Sequence, residues 1–265
     1  MARDENSVAE KNLLAVDVGN TTTRLGLFAR GELAGTWELT THERLTVDEA
    51  RMQLAQAAAL MGEALPEEAI LACVVPTLTD VWRRALAAAC GCKPLVVGPG
   101  LKTGLKMRYD DPSEVGADRV ADVRAAREDY GAPVVVVDLG TTTNFEVVDA
   151  EGAFVGGIIA PVWPWVRARS LPRRRACPYD RAARAGLSDR AQHARGDAVR
   201  RGARGGRTHR RPARRRDGRA GESAPVVITG DGAAAMAALL RHQVHVDDTL
   251  TLRGLWSLWH ANRGR

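Results

Sequence analysis

The chain has 265 residues, 45% of them hydrophobic and 26% charged, which is enough for one large domain or two smaller ones with their own cores. No apolar run is long enough to cross a bilayer, and the opening MARDENSVAEK lacks the apolar stretch of a signal peptide, so the expected compartment is the cytoplasm, with no membrane partner. The net charge of +6 is unevenly held: residues 161–220 carry nineteen arginines, no lysine and four aspartates, a local +15, so the remainder of the chain is acidic at −9.

In chain order, Leu13–Val18 is an apolar run ending on Asp17 and followed by a Gly-Asn turn. Arg24–Phe28 and Glu32–Thr40 alternate as strands about an Arg30-Gly31 turn, which makes a three-stranded meander. Val47–Leu60 has helical spacing; Ile70–Val75 is a short buried strand stopped by Pro76; Leu78–Ala89 is a helix and Pro94–Val97 a strand. Glu114–Glu128 is helical, with Ser113 after Pro112 as its candidate cap. The pattern then restarts. Pro133–Asp138, Asn144–Val148 and Ala153–Ile159 form a second meander. Residues 162–220 lose periodicity. Order returns with the strand Val226–Thr229, the turn Gly230-Asp231-Gly232, a helix over Ala233–Leu240 and a closing helix over Thr251–His260. The four cysteines (Cys73, Cys90, Cys92 and Cys177) show no disulfide framework, and Cys90-Gly-Cys92 is too tight for two zinc ligands.

The two restarts carry the chemistry. Asp17-Val-Gly-Asn-Thr-Thr-Thr and Asp138-Leu-Gly-Thr-Thr-Thr-Asn are one device used twice: a strand ending in Asp, a glycine turn, then hydroxyl residues. Such a turn presents N–H groups and hydroxyls to phosphate oxygens, and the strand-end Asp can hold Mg²⁺. A single copy is equally well an ordinary hairpin; two copies point to paired phosphate turns facing across a cleft. Gly116-Ala117-Asp118-Arg119 opens a helix, where an acidic residue is favoured by the dipole alone. Its functional reading makes Asp118 a general base and Arg119 a clamp for a substrate anion.

The run GPGLKTGLKMRYDDPSEVGADR over residues 98–119, together with DVGNTTTR, DLGTTTNFE and GGIIAP, resembles the type III pantothenate kinases of the acetate-kinase, Hsp70 and actin superfamily. The resemblance covers residues 12–161 and resumes at Val226–Gly232 and at Thr251–Leu255. It implies an α/β fold of two RNase H-like domains around an ATP cleft, divided as 1–130 and 131–265. Asp17, Val18, Gly19, Asn20, Thr21, Thr22, Thr23 and Arg24 would form the first phosphate loop, with Asp17 on Mg²⁺. Asp138 would help hold a monovalent cation, K⁺ or NH₄⁺. Thr141 would touch ATP, and Thr229 and Gly230 would lie by the adenosine. Tyr109, Gly116, Ala117, Asp118 and Arg119 would line the pantothenate site, Asp118 taking the hydroxyl proton. The implied reaction is ATP-dependent phosphorylation of pantothenate, the entry to coenzyme A, by a homodimer.

Two small departures stand out: Glu146 where the family more often has Asp, and Asp231 in place of the second glycine of a Thr-Gly-Gly turn. The arginine-rich stretch, placed at 162–222, is the large one. The family has an Ile-Gly-Arg-Asn-Thr motif here, whereas this chain has Asp189-Arg-Ala-Gln-His-Ala-Arg-Gly-Asp-Ala-Val-Arg200. Read one base later, those codons permit Ile-Gly-Arg-Asn-Thr-x-Glu-Ala-Met-Gln-Ser-Gly. Out-of-frame GC-rich DNA also yields the Arg, Ala, Gly and Pro that fill the stretch, so a frame shift between codon 162 and Pro225 is the expected explanation. The alternatives are an impaired paralogue that only binds nucleotide, or an arginine-rich nucleic-acid binder, which the scarcity of interleaved aromatics disfavours.

Overall fold

The alternating pattern of the first segment closes into a meander. In the computed structural model, which describes residues 11–108, 115–161 and 224–263, β1 (Leu13–Val18), β2 (Thr22–Ala29) and β3 (Glu32–Thr40) run antiparallel in sequence order. Arg30 and Gly31 make the β2–β3 turn with φ of 53° and 84°, the left-handed pair that a two-residue hairpin of matching twist requires. β4 (Ala69–Cys73) lies parallel to β1, and β5 (Leu95–Val96) parallel to β4. The order is β3-β2-β1-β4-β5.

Two helices cover one face of this sheet. α1 (Val47–Met61) begins in a reciprocal cap: the Thr46 hydroxyl accepts from the Glu49 N–H at 3.3 Å while the Glu49 carboxylate accepts from the Thr46 N–H at 2.8 Å. α2 (Pro76–Cys90) starts on proline, whose missing N–H has no partner to lose there. They bury Leu54, Leu78, Trp82 and Leu86 against Leu14, Val16 and Leu71.

The second sheet repeats the first. β7 (Val134–Leu139), β8 (Thr142–Val148) and β9 (Ala153–Pro161) form an antiparallel meander, with β10 (Val226–Gly230) parallel to β7 and β11 (His245–Val246) parallel to β10. The order β9-β8-β7-β10-β11 matches that of the first sheet strand for strand, and β6 (Lys106–Met107) is added outside β9. Both sheets thus have the RNase H-like order within a mixed α/β chain, as expected. α3 (Ala117–Tyr130) and the closing helix, here α5 (Leu250–Asn262), pack on each other. α5 sends Leu252, Leu255 and Leu258 onto Leu13, Phe28 and Ile70 of the first sheet, while Val123 and Ala126 of α3 meet Val134, Val136 and Phe154 of the second. The described residues form one compact unit. Its connections cross residue 130 in both directions: β6 joins the second sheet and α5 covers the first.

Two helix boundaries and the burial of one residue differ from the expectation. α3 starts at Ala117 with Gly116 as its cap, not at Glu114; Ser113 lies outside the described residues. α4 (Ala233–Ala237) ends three residues before Leu240. Cys73 is half-buried, its thiol donating to the Val75 carbonyl at 3.2 Å.

Candidate active site

The ends of β1 and β7, one from each sheet, bring Asp17 and Asp138 to the wall of one cavity. Asp17 lies opposite Arg24 in the first sheet and Asp138 opposite Asn144 in the second. Each is followed by a glycine whose N–H bonds back across the turn: Gly19 to the Thr22 carbonyl at 3.0 Å, Gly140 to the Thr142 carbonyl at 3.0 Å. The second turn is one residue shorter than the first, so the repeat is of device and not of length. The two turns meet, Thr21 Oγ1 and Thr141 Oγ1 sharing a hydrogen bond of 3.0 Å across 120 positions of sequence.

Between them is a small cavity of about 100 Å³, walled by Asp17, Gly19, Asn20, Thr21, Thr22 and Arg24 from the first sheet and by Asp138, Thr141 and Gly230 from the second. Asp118, from the first turn of α3, also faces it. A larger cavity of about 470 Å³ adjoins it and shares Arg24, Gly230 and Asp231. Gly230 has φ 85°, and a Cβ there would sit 2.6 Å from both Asp138 Oδ1 and the Leu139 carbonyl oxygen. Only glycine lets β10 end this close to β7.

The electrostatics are those of crowded carboxylates. Burial pushes Asp17 up to about 8, with Asp118 and Asp138 adding repulsion and Arg24 opposing it. Asp17 keeps a partly exposed edge, but its Oδ1 is shut off from water and has no hydrogen-bond partner. Burial also lifts Asp138 to about 7, Asp118 adding to it and Arg24 working against it. Asp118 is raised for the same first reason, opposed by the backbone N–H of Arg119, which donates to its Oδ1 at 2.7 Å, and by the Arg119 guanidinium. Asp122, one turn further along α3, is held well above the usual carboxylate range by burial and by facing Asp138 and Glu146. Its Oδ1 accepts from Thr251 Oγ1 at 2.6 Å.

Several expected residues stand back from the cavity wall. Val18 and Thr23 are buried, Thr23 Oγ1 sharing a 2.8 Å hydrogen bond with Thr41. Thr229 is buried beside Asp138, with no partner for its hydroxyl. Gly116 and Ala117 open α3 behind Asp118. Arg119 is buried, its Nε donating to Glu146 Oε1 at 2.8 Å and its guanidinium 5.7 Å from the Phe154 ring centre. Burial lifts Glu146 to about 8 although Arg119 pulls it down. Tyr109 lies outside the described residues. Asn144, Asp231 and Thr251 also wall the cavity, with Asp122 hydrogen-bonded behind Thr251, and none was assigned to the site by the motifs. Asp122 had a legible signal, standing four positions after Asp118 on the same helical face.

The two Asp-ended turns thus face each other across a small acidic cavity, with Asp118 beside them. The sequence matches the family described as Type III pantothenate kinase over residues 13–174. It is 46% identical over 151 residues to the type III pantothenate kinase of Moorella thermoacetica, covering 56% of this chain and 59% of that one. It is 41% identical over 151 residues to that of Geobacter sulfurreducens, with the same coverage of 56% and 59%. To that of Thermomicrobium roseum it is 37% identical over 251 residues, 93% of this chain and 96% of that one. The chain belongs to the type III pantothenate kinase family. Its match spans 59% of the length of the first two of these relatives.

Proposed function

We propose that this chain transfers the terminal phosphoryl group of ATP to the hydroxyl of pantothenate, giving 4'-phosphopantothenate in the first step of coenzyme A biosynthesis. The observation that carries the reading is the meeting of the two phosphate turns through Thr21 and Thr141, with Asp118 on the same cavity. The small cavity would take the reacting phosphates and the larger one, bounded by Gly230, the nucleoside. Asp118 would accept the hydroxyl proton. Burial raises its pKa, which makes it a stronger base than an ordinary aspartate. Phosphoryl transfer needs little more from the protein than positioning and charge neutralisation.

Neutralisation cannot come from the walls alone. The small cavity carries Asp17, Asp118, Asp138 and Asp231 against one guanidinium, Arg24. Among the described residues no three His, Cys, Asp or Glu side chains stand close enough to hold a metal by themselves. The unpartnered Oδ1 of Asp17 fits Mg²⁺ shared with phosphate oxygens, which is how that ion is commonly bound. Asp138, lifted by burial and by the neighbouring Asp118 carboxylate, fits a monovalent cation, K⁺ or NH₄⁺. Such cations would offset the negative charge of the phosphates. Arg119 acts here through Glu146 and, by the resemblance, borders the pantothenate site with Gly116, Ala117 and Tyr109.

A homodimer fits the exposed apolar side chains that β9 presents, Val155, Ile158 and Ile159. A cytoplasmic setting suits such a metabolic kinase, and among the described residues no helix is long and apolar enough to cross a membrane. The test is ADP release from Mg-ATP that depends on added pantothenate. Asp118→Asn is expected to lower turnover by about 10²- to 10⁴-fold while ATP still binds. ADP release that ignores pantothenate, or an Asp118→Asn enzyme of full rate, would overturn the assignment.

A further inference from the structure

One ion pair crosses the cleft, and its acidic member has no part in phosphate transfer as described. Arg24 extends from β2 of the first sheet; Asp231 sits in the turn between β10 and α4 of the second, 207 positions further along the chain. Arg24 Nη2 donates to Asp231 Oδ1 at 2.8 Å, and Arg24 Nε donates to Glu38 Oε2 at 3.4 Å. Both Arg24 and Asp231 line the small cavity and the large one, so the pair stands at the neck between them.

Arg24 is the sole cationic side chain on the walls of either cavity among the described residues. With Glu38 and Asp231 both on it, its charge is already matched. A phosphate chain running from the large cavity into the small one must pass this neck and reach for the same guanidinium. We propose that the Arg24–Asp231 pair is a clasp across the cleft, and that Asp231 is a built-in competitor that sets the affinity for the phosphate donor. Asp231 is then a positioning residue: it acts through Arg24, holding the guanidinium until an anion displaces it. The inference rests on the phosphate-transfer reading above.

The pair is too exposed to matter much to folding, since partly solvated ion pairs contribute little to stability. Its effect should therefore appear in binding and not in the melting temperature. The experiment is a calorimetric double-mutant cycle on the full chain with tripolyphosphate and with Mg-ATP as probes, using Asp231→Asn, Arg24→Gln and the double variant. Asp231→Ser serves as a second route to the same loss of charge if the Asn variant folds poorly. In the parent background, removing the Asp231 carboxylate is expected to tighten tripolyphosphate about three- to tenfold. In the Arg24→Gln background the same change should shift affinity by less than about twofold. Equal tightening in both backgrounds would mean a general field effect and would overturn the clasp. Unchanged or weaker binding of Asp231→Asn would overturn it as well. If the parent chain binds neither ATP nor tripolyphosphate, the kinase reading itself falls, an outcome separate from the other two.

Discussion

α3 carries the candidate base, and its position depends on how closely α5 can approach it. That approach is set at Gly254. A Cβ added there would run into the Ala121 carbonyl oxygen, and would lie 2.5 Å from the Ala121 carbonyl carbon and 2.9 Å from its Cα. These are backbone atoms, so no rotamer change relieves the clash and one helix must move. Overpacking of this kind costs about 1–3 kcal/mol, sometimes more, against which alanine recovers about 1 kcal/mol of helix propensity. Gly254→Ala should therefore destabilise by up to about 2 kcal/mol, a fall of up to roughly 8 °C in Tm for a domain of this size. The same displacement has a catalytic reading. Ala121 is one turn from Asp118, and a shift of about 1 Å in a reacting group can cost 10²-fold in rate. The assay is thermal unfolding beside kcat and the Kd for Mg-ATP, with Met52→Ala on the exposed side of α1 as control. The expected result is a lower Tm, kcat down at least about tenfold and nearly unchanged nucleotide affinity, because the two Asp-ended turns proposed to hold the phosphates lie outside the helix pair. A Gly254→Ala chain as stable as the control, with unchanged kcat, would refute the close approach.

Two further outcomes follow from the buried charges. Asp17 and Glu146 are raised to about 8 and Asp138 to about 7, chiefly by burial. In the unfolded chain they titrate near 4. The folded state therefore holds protons that the unfolded state has released, and stability present below about pH 4 is lost as pH rises through 7–8. Metal-free protein should melt lower at pH 8.5 than at pH 6, Mg²⁺ should narrow the gap, and Asp17→Asn should flatten it; a Tm that climbs with pH would contradict the burial of these groups. Glu146→Ala breaks the buried pair with Arg119 and should cost about 3 kcal/mol in denaturant unfolding, with Glu146→Gln intermediate and a loss under about 1 kcal/mol showing that the pair is solvated.

Much of this arrangement is legible in the sequence. The meanders are, because half-buried strands such as β3 alternate residue by residue. The two Asp-Gly turns are, because the device is repeated. The strands β6 and β11, two residues each, are not, since neither sits in an apolar run such as the Leu95-Val-Val97 that marks β5. The start of α3 is misjudged for a different reason: Pro112-Ser113 is a good local start signal, but Asp118 itself satisfies the Arg119 N–H in the first turn, and a Cβ at Gly116 would press on its carboxylate. What fails most is pairing at a distance. Asp231 appears in the sequence as an intruder in a glycine turn; only the fold shows that it meets Arg24. Glu146 appears as a minor departure, and only the fold shows it buried against the Arg119 guanidinium.

The arginine-rich stretch leads to the last prediction. Nineteen arginines and only four acidic residues fall within residues 161–220, where the sequence departs most from the family's pattern. The described residues that wall the small cavity include both Asp-ended turns and Asp118. Nucleotide binding and pantothenate turnover should therefore separate. The chain as written should bind Mg-ATP, whereas the Ile-Gly-Arg-Asn-Thr motif that the resemblance associates with pantothenate is missing. Resequencing the gene between codons 155 and 230 should reveal bases that restore the motif. A chain rebuilt in that frame should phosphorylate pantothenate at least about tenfold faster than the chain as written, the effect of about 1.4 kcal/mol of lost transition-state binding, with similar affinity for Mg-ATP. Equal turnover by the two chains would show that the family's reaction does not depend on the motif, and that the arginine-rich stretch is a genuine part of a working enzyme.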